Sequence, residues 1–157
     1  MRAKKSSLLV INITLCLTGM LALTVLQSQA AEPPLPNDIN IIPPSSDLPK
    51  EIGAFSGKWV GEWNNGISSI LIIEEINEKE AKVIYSVGDH PRWNIKAQYK
   101  RYTAKVFSTA KPRIEFISAG GAAHIFEMKD PNNLEGVGTY QKGERNIKLV
   151  ITMKRGN

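Results

Sequence analysis

The chain has 157 residues, of which 42% are hydrophobic and 22% are charged, close to the averages for ordinary globular proteins. These values exclude a collagen-like, a coiled-coil and a wholly disordered chain. The formal net charge is +5, but Arg2, Lys4 and Lys5 lie in an N-terminal segment that we expect to be removed. Removing these three leaves 17 basic residues against 15 acidic ones, so global attraction to polyanions is weak.

Residues 1–30 have the pattern of a signal peptide. A basic start precedes a mostly apolar stretch over 8–26, and Ser28-Gln29-Ala30 supplies the small side chains that a signal peptidase accepts. We therefore expect cleavage after Ala30 and export to the periplasm or the extracellular space. The apolar stretch is also about long enough to span a bilayer as a retained anchor. Only in that case would the protein contact a membrane.

The segment that follows, residues 31–52, predicts an extended tether. Six of the nine prolines lie between residues 31 and 49, and proline lacks the amide donor that helices and central strands need. The tether is either a spacer or a proline-rich docking peptide. Because Cys16 is the only cysteine, the cleaved chain has no disulfide, and the hydrophobic core alone must hold the domain over residues 53–155.

That domain has the pattern of consecutive short strands. Apolar residues alternate over eight runs, separated by turn residues: 57–63, 67–76, 81–88, 97–107, 113–118, 122–129, 134–141 and 145–154. Asn65-Gly66 between the first two predicts a two-residue type I′ hairpin. Short links imply sequential antiparallel pairing, and exposed edges favour closure. We predict an all-β fold, an eight-stranded antiparallel up-and-down barrel or a strongly curved half-barrel.

The run F-S-G-K-W-V-G-E-W over residues 55–63 resembles the Gly-x-Trp signature on the first strand of lipocalin-like barrels. It is also similar to exported bacterial domains with a G-x-W-x-G-x-W opening, a strand like V-I-Y-S-V-G at 83–88, and a later tryptophan like Trp93. The resemblance implies that Trp59 packs across the closed end of the barrel beneath an arginine of the last strand. Arg145 and Arg155 lie at the two ends of that strand.

Aromatic side chains are the candidate ligand-binding residues. Strand alternation directs most of them to one face, and Trp93 lies in the longest connection, where loops tend to carry function. They either line a pocket for a small apolar or aromatic ligand or form a packed core, and the sequence leaves both open. The ligand-binding candidates are Trp59, Trp63, Tyr85, Trp93, Tyr102, His124, Phe126 and Tyr140.

A run of basic residues without an acid, between His90 and Ile114, is the one uneven charge feature. Interleaved aromatic residues give it the character of a surface for an anionic polymer or an envelope protein. Secretion argues against nucleic acid as the partner. The alternative is that these side chains coat outer strand faces and block edge association. The basic-surface candidates are Arg92, Lys96, Lys100, Arg101 and Lys105.

Catalytic chemistry has little support in the sequence. The chain lacks a G-x-S-x-G elbow, a phosphate loop and paired metal-ligand spacing, and a triad of Ser86, Asp89 and His124 has no supporting motif. We predict no catalytic residue, metal or cofactor. The expected function is an exported, non-catalytic binding domain that holds a small hydrophobic or aromatic ligand. The alternative is a protein-interaction or envelope-surface module, such as an exported inhibitor or accessory domain, that uses its loops and basic face.

Overall fold

The structure is a computed structural model that describes residues 32–157. The predicted signal peptide and its cleavage site lie outside the described residues. Within residues 32–157, no helix has the length and apolar character needed to cross a membrane.

Eight strands make up most of the described chain. They are preceded by a short helix, α1 (Lys50–Gly53), and the β3–β4 connection contains one 3-10 turn (Pro91–Trp93). The strands are β1 (Gly57–Trp63), β2 (Ser68–Ile76), β3 (Glu80–Val87), β4 (Gln98–Phe107), β5 (Arg113–Ile117), β6 (Ala123–Asp130), β7 (Asn133–Lys142) and β8 (Arg145–Arg155).

The strands form a closed barrel in which each pairs with its neighbours in sequence. All pairs are antiparallel, and β1 pairs with β8 from Trp59↔Arg155 to Trp63↔Ile151, which closes the ring. Closure removes both edges that an open sheet would expose. The predicted all-β up-and-down barrel is therefore confirmed, and the half-barrel alternative does not occur.

The first hairpin differs from its prediction. A type I′ turn needs positive φ at both central residues, but Asn65 does not have it, whereas Gly66 has φ of +88°. Gly66 N donates to Trp63 O at 2.8 Å and Trp63 N to Ile67 O at 2.9 Å. The loop is therefore longer than two residues, with glycine alone in the left-handed region that its missing side chain makes accessible.

The interior divides into a filled end and an open end. At the filled end, Phe55, Trp59, Phe126, Leu134 and Met153 are completely buried. Ile52 from α1 belongs to the same cluster, so the core begins one residue before the predicted domain boundary. Here β7 has no room for a side chain on Gly136, because an added Cβ would lie 2.6 Å from both Phe126 and Ile151.

Arg155 closes the filled end from below. Its guanidinium carbon lies 4.2 Å from the centroid of the Trp59 ring, a cation–π distance. Its Nη1 donates to Ser56 O at 2.9 Å, its Nη2 to Ala54 O at 2.7 Å and its Nε to Pro131 O at 3.1 Å. One side chain thus ties the end of β8 to the chain before β1 and to the β6–β7 turn.

Residues 32–49, which we call the N-terminal strap, run along the outside of the barrel instead of standing away from it. The strap has no helix or strand, and Pro33 and Pro36 are buried. Leu35 and Ile39 pack on a cluster formed by the outward side chains of Ile70, Ile72 and Ile84. The segment interpreted from sequence as a spacer or a docking peptide thus covers an apolar patch on its own barrel.

Polar contacts hold the N-terminal strap along its length. Ser86 Oγ donates to Pro34 O at 2.5 Å, and Ile42 N donates to Glu74 O at 2.7 Å. Arg101 pairs with Asp38 at 2.8 Å and with Glu74 at 3.1 Å, and its hydrogen bond lowers the pKa of Asp38. Since Ser86 lies near the open end of β3 and Glu74 near the filled end of β2, the strap spans the barrel wall.

Candidate functional site

A cavity of about 340 Å³ occupies the open end of the barrel. Three connections surround its mouth: residues 64–67, 88–97 and 118–122. Its lining is mostly apolar and aromatic, with Lys100 as the one charged side chain among the residues that line it. The volume lies at the small end of the range of about 300–1,000 Å³ for small-molecule pockets.

Six of the eight predicted ligand-binding residues line this cavity: Trp63, Tyr85, Trp93, Tyr102, His124 and Tyr140. Trp59 and Phe126 do not line it. Both point into the barrel as alternation requires, but each has no exposed surface and packs in the filled end. Alternation assigns a side chain to a face of the wall, not to a depth along it.

Parallel rings line one wall of the interior. Phe116 stacks on Tyr102 at a centroid distance of 5.2 Å and on His124 at 5.0 Å, with interplanar angles of 21° in both pairs. Phe126 continues the series below, 6.1 Å from Phe116. Tyr85 meets His124 from the opposite side at 4.8 Å, tilted by 51°. The floor of the cavity is therefore built from aromatic faces and edges.

A hydrogen-bonded trio stands at that floor. Trp63 Nε1 donates to Ser69 Oγ at 2.9 Å and to Tyr85 Oη at 2.8 Å, and the two hydroxyl oxygens are 3.3 Å apart. Gly61 on β1 is paired with Ser69 on β2, and Trp63 lies two positions after Gly61. Trp63 and Ser69 therefore share the inward face of the wall, as does Tyr85 on β3. Burial raises the pKa of Tyr85 to about 12, so the trio is neutral and its polar atoms bond to one another.

His124 differs from this trio because its Nδ1 remains unsatisfied. Only 7% of its surface is exposed, and its Nδ1 has no hydrogen-bond partner among the described residues. Desolvation by burial lowers the pKa of the imidazole to about 4, so the ring is neutral at neutral pH. Gly138, directly opposite on β7, has no side chain to reach it.

The rim is organised around Trp93 in the β3–β4 connection. Trp93 meets Tyr140 edge to face at 5.9 Å, and Lys142 Nζ lies 5.3 Å from the centroid of the tryptophan ring. His90 Nε2 donates to Asn65 O at 2.9 Å, which joins this connection to the first hairpin. The Tyr140 hydroxyl makes no hydrogen bond with any residue of 32–157.

The predicted basic surface is not continuous. Strand alternation turns Lys100 toward the cavity, whereas Arg101 points outward to Asp38 and Glu74. Lys105 lies directly opposite Glu80 on β3 and Glu115 on β5. Arg92 and Lys96 are exposed in the β3–β4 connection. Acidic residues on the neighbouring strands and on the N-terminal strap therefore interrupt the basic surface. These acidic residues lie elsewhere in the sequence, so the run of basic residues alone does not predict them.

The predicted set omitted several lining residues. Among these are Lys100 and the aliphatic residues Ile67, Val87, Ile95 and Leu149. Lys100 shares its parity with Tyr102 on β4, so alternation could have placed it inside. Ile95 lies in the β3–β4 connection and forms an isolated β-bridge with His90. Strand periodicity does not predict the position of a residue in such a connection.

Catalytic and metal-binding arrangements find no geometric support in the described part of the chain. Ser86 lies on the outer face, bonded to Pro34 O, whereas His124 points into the barrel. The wall thus separates two members of the triad that the sequence permits. In residues 32–157 there is no group of three or more His, Cys, Asp or Glu side chains arranged to hold a metal ion.

Fold and cavity together define a closed, eight-stranded antiparallel β-barrel with an interior pocket open at one end. Comparisons with protein-family models, with curated proteins and with solved structures each found no match.

Proposed function

We propose that this protein is an exported binding protein that holds a small hydrophobic or aromatic molecule in the open end of its barrel, without catalysis. The observation that carries the proposal is the unfilled, aromatic-lined volume of about 340 Å³ above a fully packed floor. A barrel whose role lay only in its outer surface would gain stability by filling that volume with its own side chains, because the apolar lining would then be removed from water.

The lining fits such a ligand in kind as well as in size. Apolar walls exclude a strongly hydrated substrate, while Tyr140, Asn65 and Gln98 offer polar atoms near the mouth. A few polar groups on a mostly apolar lining are typical of sites for small organic molecules. The Arg155 guanidinium over Trp59 is the contact that the resemblance to lipocalin-like barrels implies, and it supports placing the protein among barrels of that kind.

The alternative, a surface that binds an envelope protein or an anionic polymer, has weaker support. Of the basic candidates, Arg101 is neutralised by two carboxylates, and Lys105 lies between acidic partners. Paired charges leave little net field for a polyanion. Arg92 and Lys96 present exposed positive charge in the β3–β4 connection, and two cations make a small electrostatic footprint.

The proposal is tested by filling the cavity and by adding the same bulk outside it. Leu149 lines the cavity, whereas Val150, its neighbour on β8, is 46% exposed on the outside. We expect Leu149→Trp to weaken binding of the fluorescent probe N-phenyl-1-naphthylamine by at least about tenfold, which corresponds to about 1.4 kcal/mol. Val150→Trp, the matched control, should leave the affinity unchanged.

Two results would contradict the proposal. One is the absence of saturable probe binding to the wild-type protein, and the other is equal probe affinity in the two tryptophan variants. Native mass spectrometry of protein purified from its own exported fraction tests export and ligand together. We expect the mass of a chain that begins at Ala31, together with a retained small molecule.

A further inference from the structure

One of the unpartnered polar side chains that line the cavity, His124, is also deeply buried. His124 is 93% buried, since only 7% of its surface is accessible, and it lines the cavity. Its Nδ1 is completely enclosed and has no hydrogen-bond partner within residues 32–157. Buried polar groups in folded proteins almost always have a partner, and leaving one without a partner destabilises the fold.

Packing does not explain why a histidine occupies this position. Phe116 and Phe126 lie nearly parallel to the imidazole, at interplanar angles of 21° and 6°, so a phenyl ring would continue the same stack. Such a ring would also remove the unsatisfied nitrogen. The neighbouring polar groups do not use the imidazole either, because Trp63, Ser69 and Tyr85 bond among themselves.

We propose that His124 is the hydrogen-bonding anchor of the cavity and that the bound molecule is an aromatic compound with a neutral hydroxyl group at its inner end. This inference rests on the proposed binding function and specifies its ligand class. We infer the aromatic part of the ligand from the rings around the imidazole of His124. The centroid of the Tyr85 ring lies 4.8 Å from that of the imidazole, and the centroid of the Trp63 ring lies 5.7 Å from it. Planar groups gain stacking and edge contacts on such walls.

The hydroxyl group of the ligand is inferred from the neutral charge state of His124 and from its depth in the cavity. Burial lowers the pKa of His124 to about 4, and a neutral imidazole presents one donor and one acceptor nitrogen. A hydroxyl group both donates and accepts, so it can pair with the ring nitrogen that faces the cavity in either tautomer. An ionised group beside His124 would lose its hydration with no opposite charge beside it, because the cavity's charged side chain, Lys100, lies at the open end of β4.

The test compares 2-naphthol with naphthalene, which differ by the hydroxyl group alone. We expect the wild-type protein to bind 2-naphthol about three- to tenfold more tightly, the ratio that one net hydrogen bond gives. In His124→Phe, which keeps the ring and removes both nitrogens, the ratio should fall to about one. Ile125→Phe is the matched control, since it adds a phenyl ring at the adjacent, outward-facing position of β6, and it should retain the ratio.

A second measurement uses the wild-type protein alone and so does not depend on the folding of a variant. The imidazole ¹⁵N resonances of His124 should shift on addition of 2-naphthol and move much less with naphthalene. Equal affinities for the two compounds in the wild-type protein would overturn the inference, as would an unchanged ratio in His124→Phe. If naphthalene and N-phenyl-1-naphthylamine bind but hydroxyl selectivity is absent, only the anchor fails. If neither binds, the proposed function itself fails.

Discussion

Replacing Arg155 with alanine tests whether one side chain at the end of β8 stabilises the filled end of the barrel. The substitution removes three charge-assisted hydrogen bonds to backbone carbonyls, at 2.7 to 3.1 Å, and the cation–π contact with Trp59 at 4.2 Å. Because the guanidinium is partly solvated, water replaces much of each hydrogen bond, so we count each near the low end of its usual range. An exposed cation–π contact contributes about 0.5–1 kcal/mol.

We therefore expect Arg155→Ala to lower the free energy of unfolding by about 2 kcal/mol. For a domain of this size, that corresponds to a fall in the melting temperature of about 8 °C. Urea denaturation followed by far-UV circular dichroism measures the change without relying on the fluorescence of Trp59, which the substitution itself alters. Arg155→Lys should recover less than half of the loss, because one ammonium cannot span three carbonyl oxygens in the way a planar guanidinium does.

Lys154→Ala is the control, since Lys154 is the adjacent, exposed residue on the outer face of β8. It should change the free energy of unfolding by less than about 0.5 kcal/mol, as surface substitutions usually do. Equal effects of Lys154→Ala and Arg155→Ala would refute the reasoning. So would full recovery by Arg155→Lys, because charge alone would then account for the stabilisation.

Two further predictions concern the N-terminal strap and His124. Leu35→Ala, which uncovers part of the outer cluster of Ile70, Ile72 and Ile84, should lower the free energy of unfolding by about 1–2 kcal/mol. Ile41→Ala should have almost no effect, because Ile41 is 42% exposed, and equal effects in urea melts would contradict the packing of the strap. Burial lowers the pKa of His124 to about 4 from an ordinary 6.5, so the unfolded chain binds the proton first and stability falls as pH drops between these values. From pH 7 to pH 4 the wild-type protein should lose about 3 kcal/mol more than His124→Phe, and parallel pH profiles would contradict a buried neutral imidazole.

Much of the fold was predictable because a half-buried strand records its two faces in alternate residues. In β3, for example, Ala81, Val83 and Tyr85 are buried as their spacing predicts. The strand order was predictable as well, because short links permit little besides pairing of neighbouring strands. Turn geometry was less predictable, because Asn65-Gly66 is compatible with several hairpin loops and only the hydrogen bonds distinguish them.

The position of the N-terminal strap left a signal in the sequence that the strand pattern alone did not explain. In β2 the residues Ile70, Leu71, Ile72 and Ile73 form a continuous apolar run, whereas a strand with one face in water alternates. All four are buried, because the barrel interior takes two of them and the strap covers the other two. A continuous apolar run within an otherwise alternating barrel therefore indicates a second layer outside it.

The cavity could not be predicted in the same way, because the same inward aromatic residues serve both a filled core and a lined pocket. Trp59 and Trp63 lie four residues apart on one face of β1, yet one is in the filled end and the other borders the cavity. What separates them is the volume available at each depth. Gly136 has Phe126 and Ile151 pressed against it, whereas Gly138 lies opposite His124 beside Trp63.

This difference along the barrel places the packed core and the proposed binding site at opposite ends of the molecule. The filled end has α1, the Arg155 contacts and complete burial of Trp59 and Phe126, and the strap adds a second apolar layer over one wall. The open end has the cavity and several buried, unsatisfied polar atoms, among them those of His124 and Tyr140, and these features lower stability. No cysteine follows Cys16 in the chain, so the packing of the filled end offsets these features without a disulfide in the barrel. A ligand that satisfied the imidazole and filled the volume would stabilise the open end in proportion to its affinity.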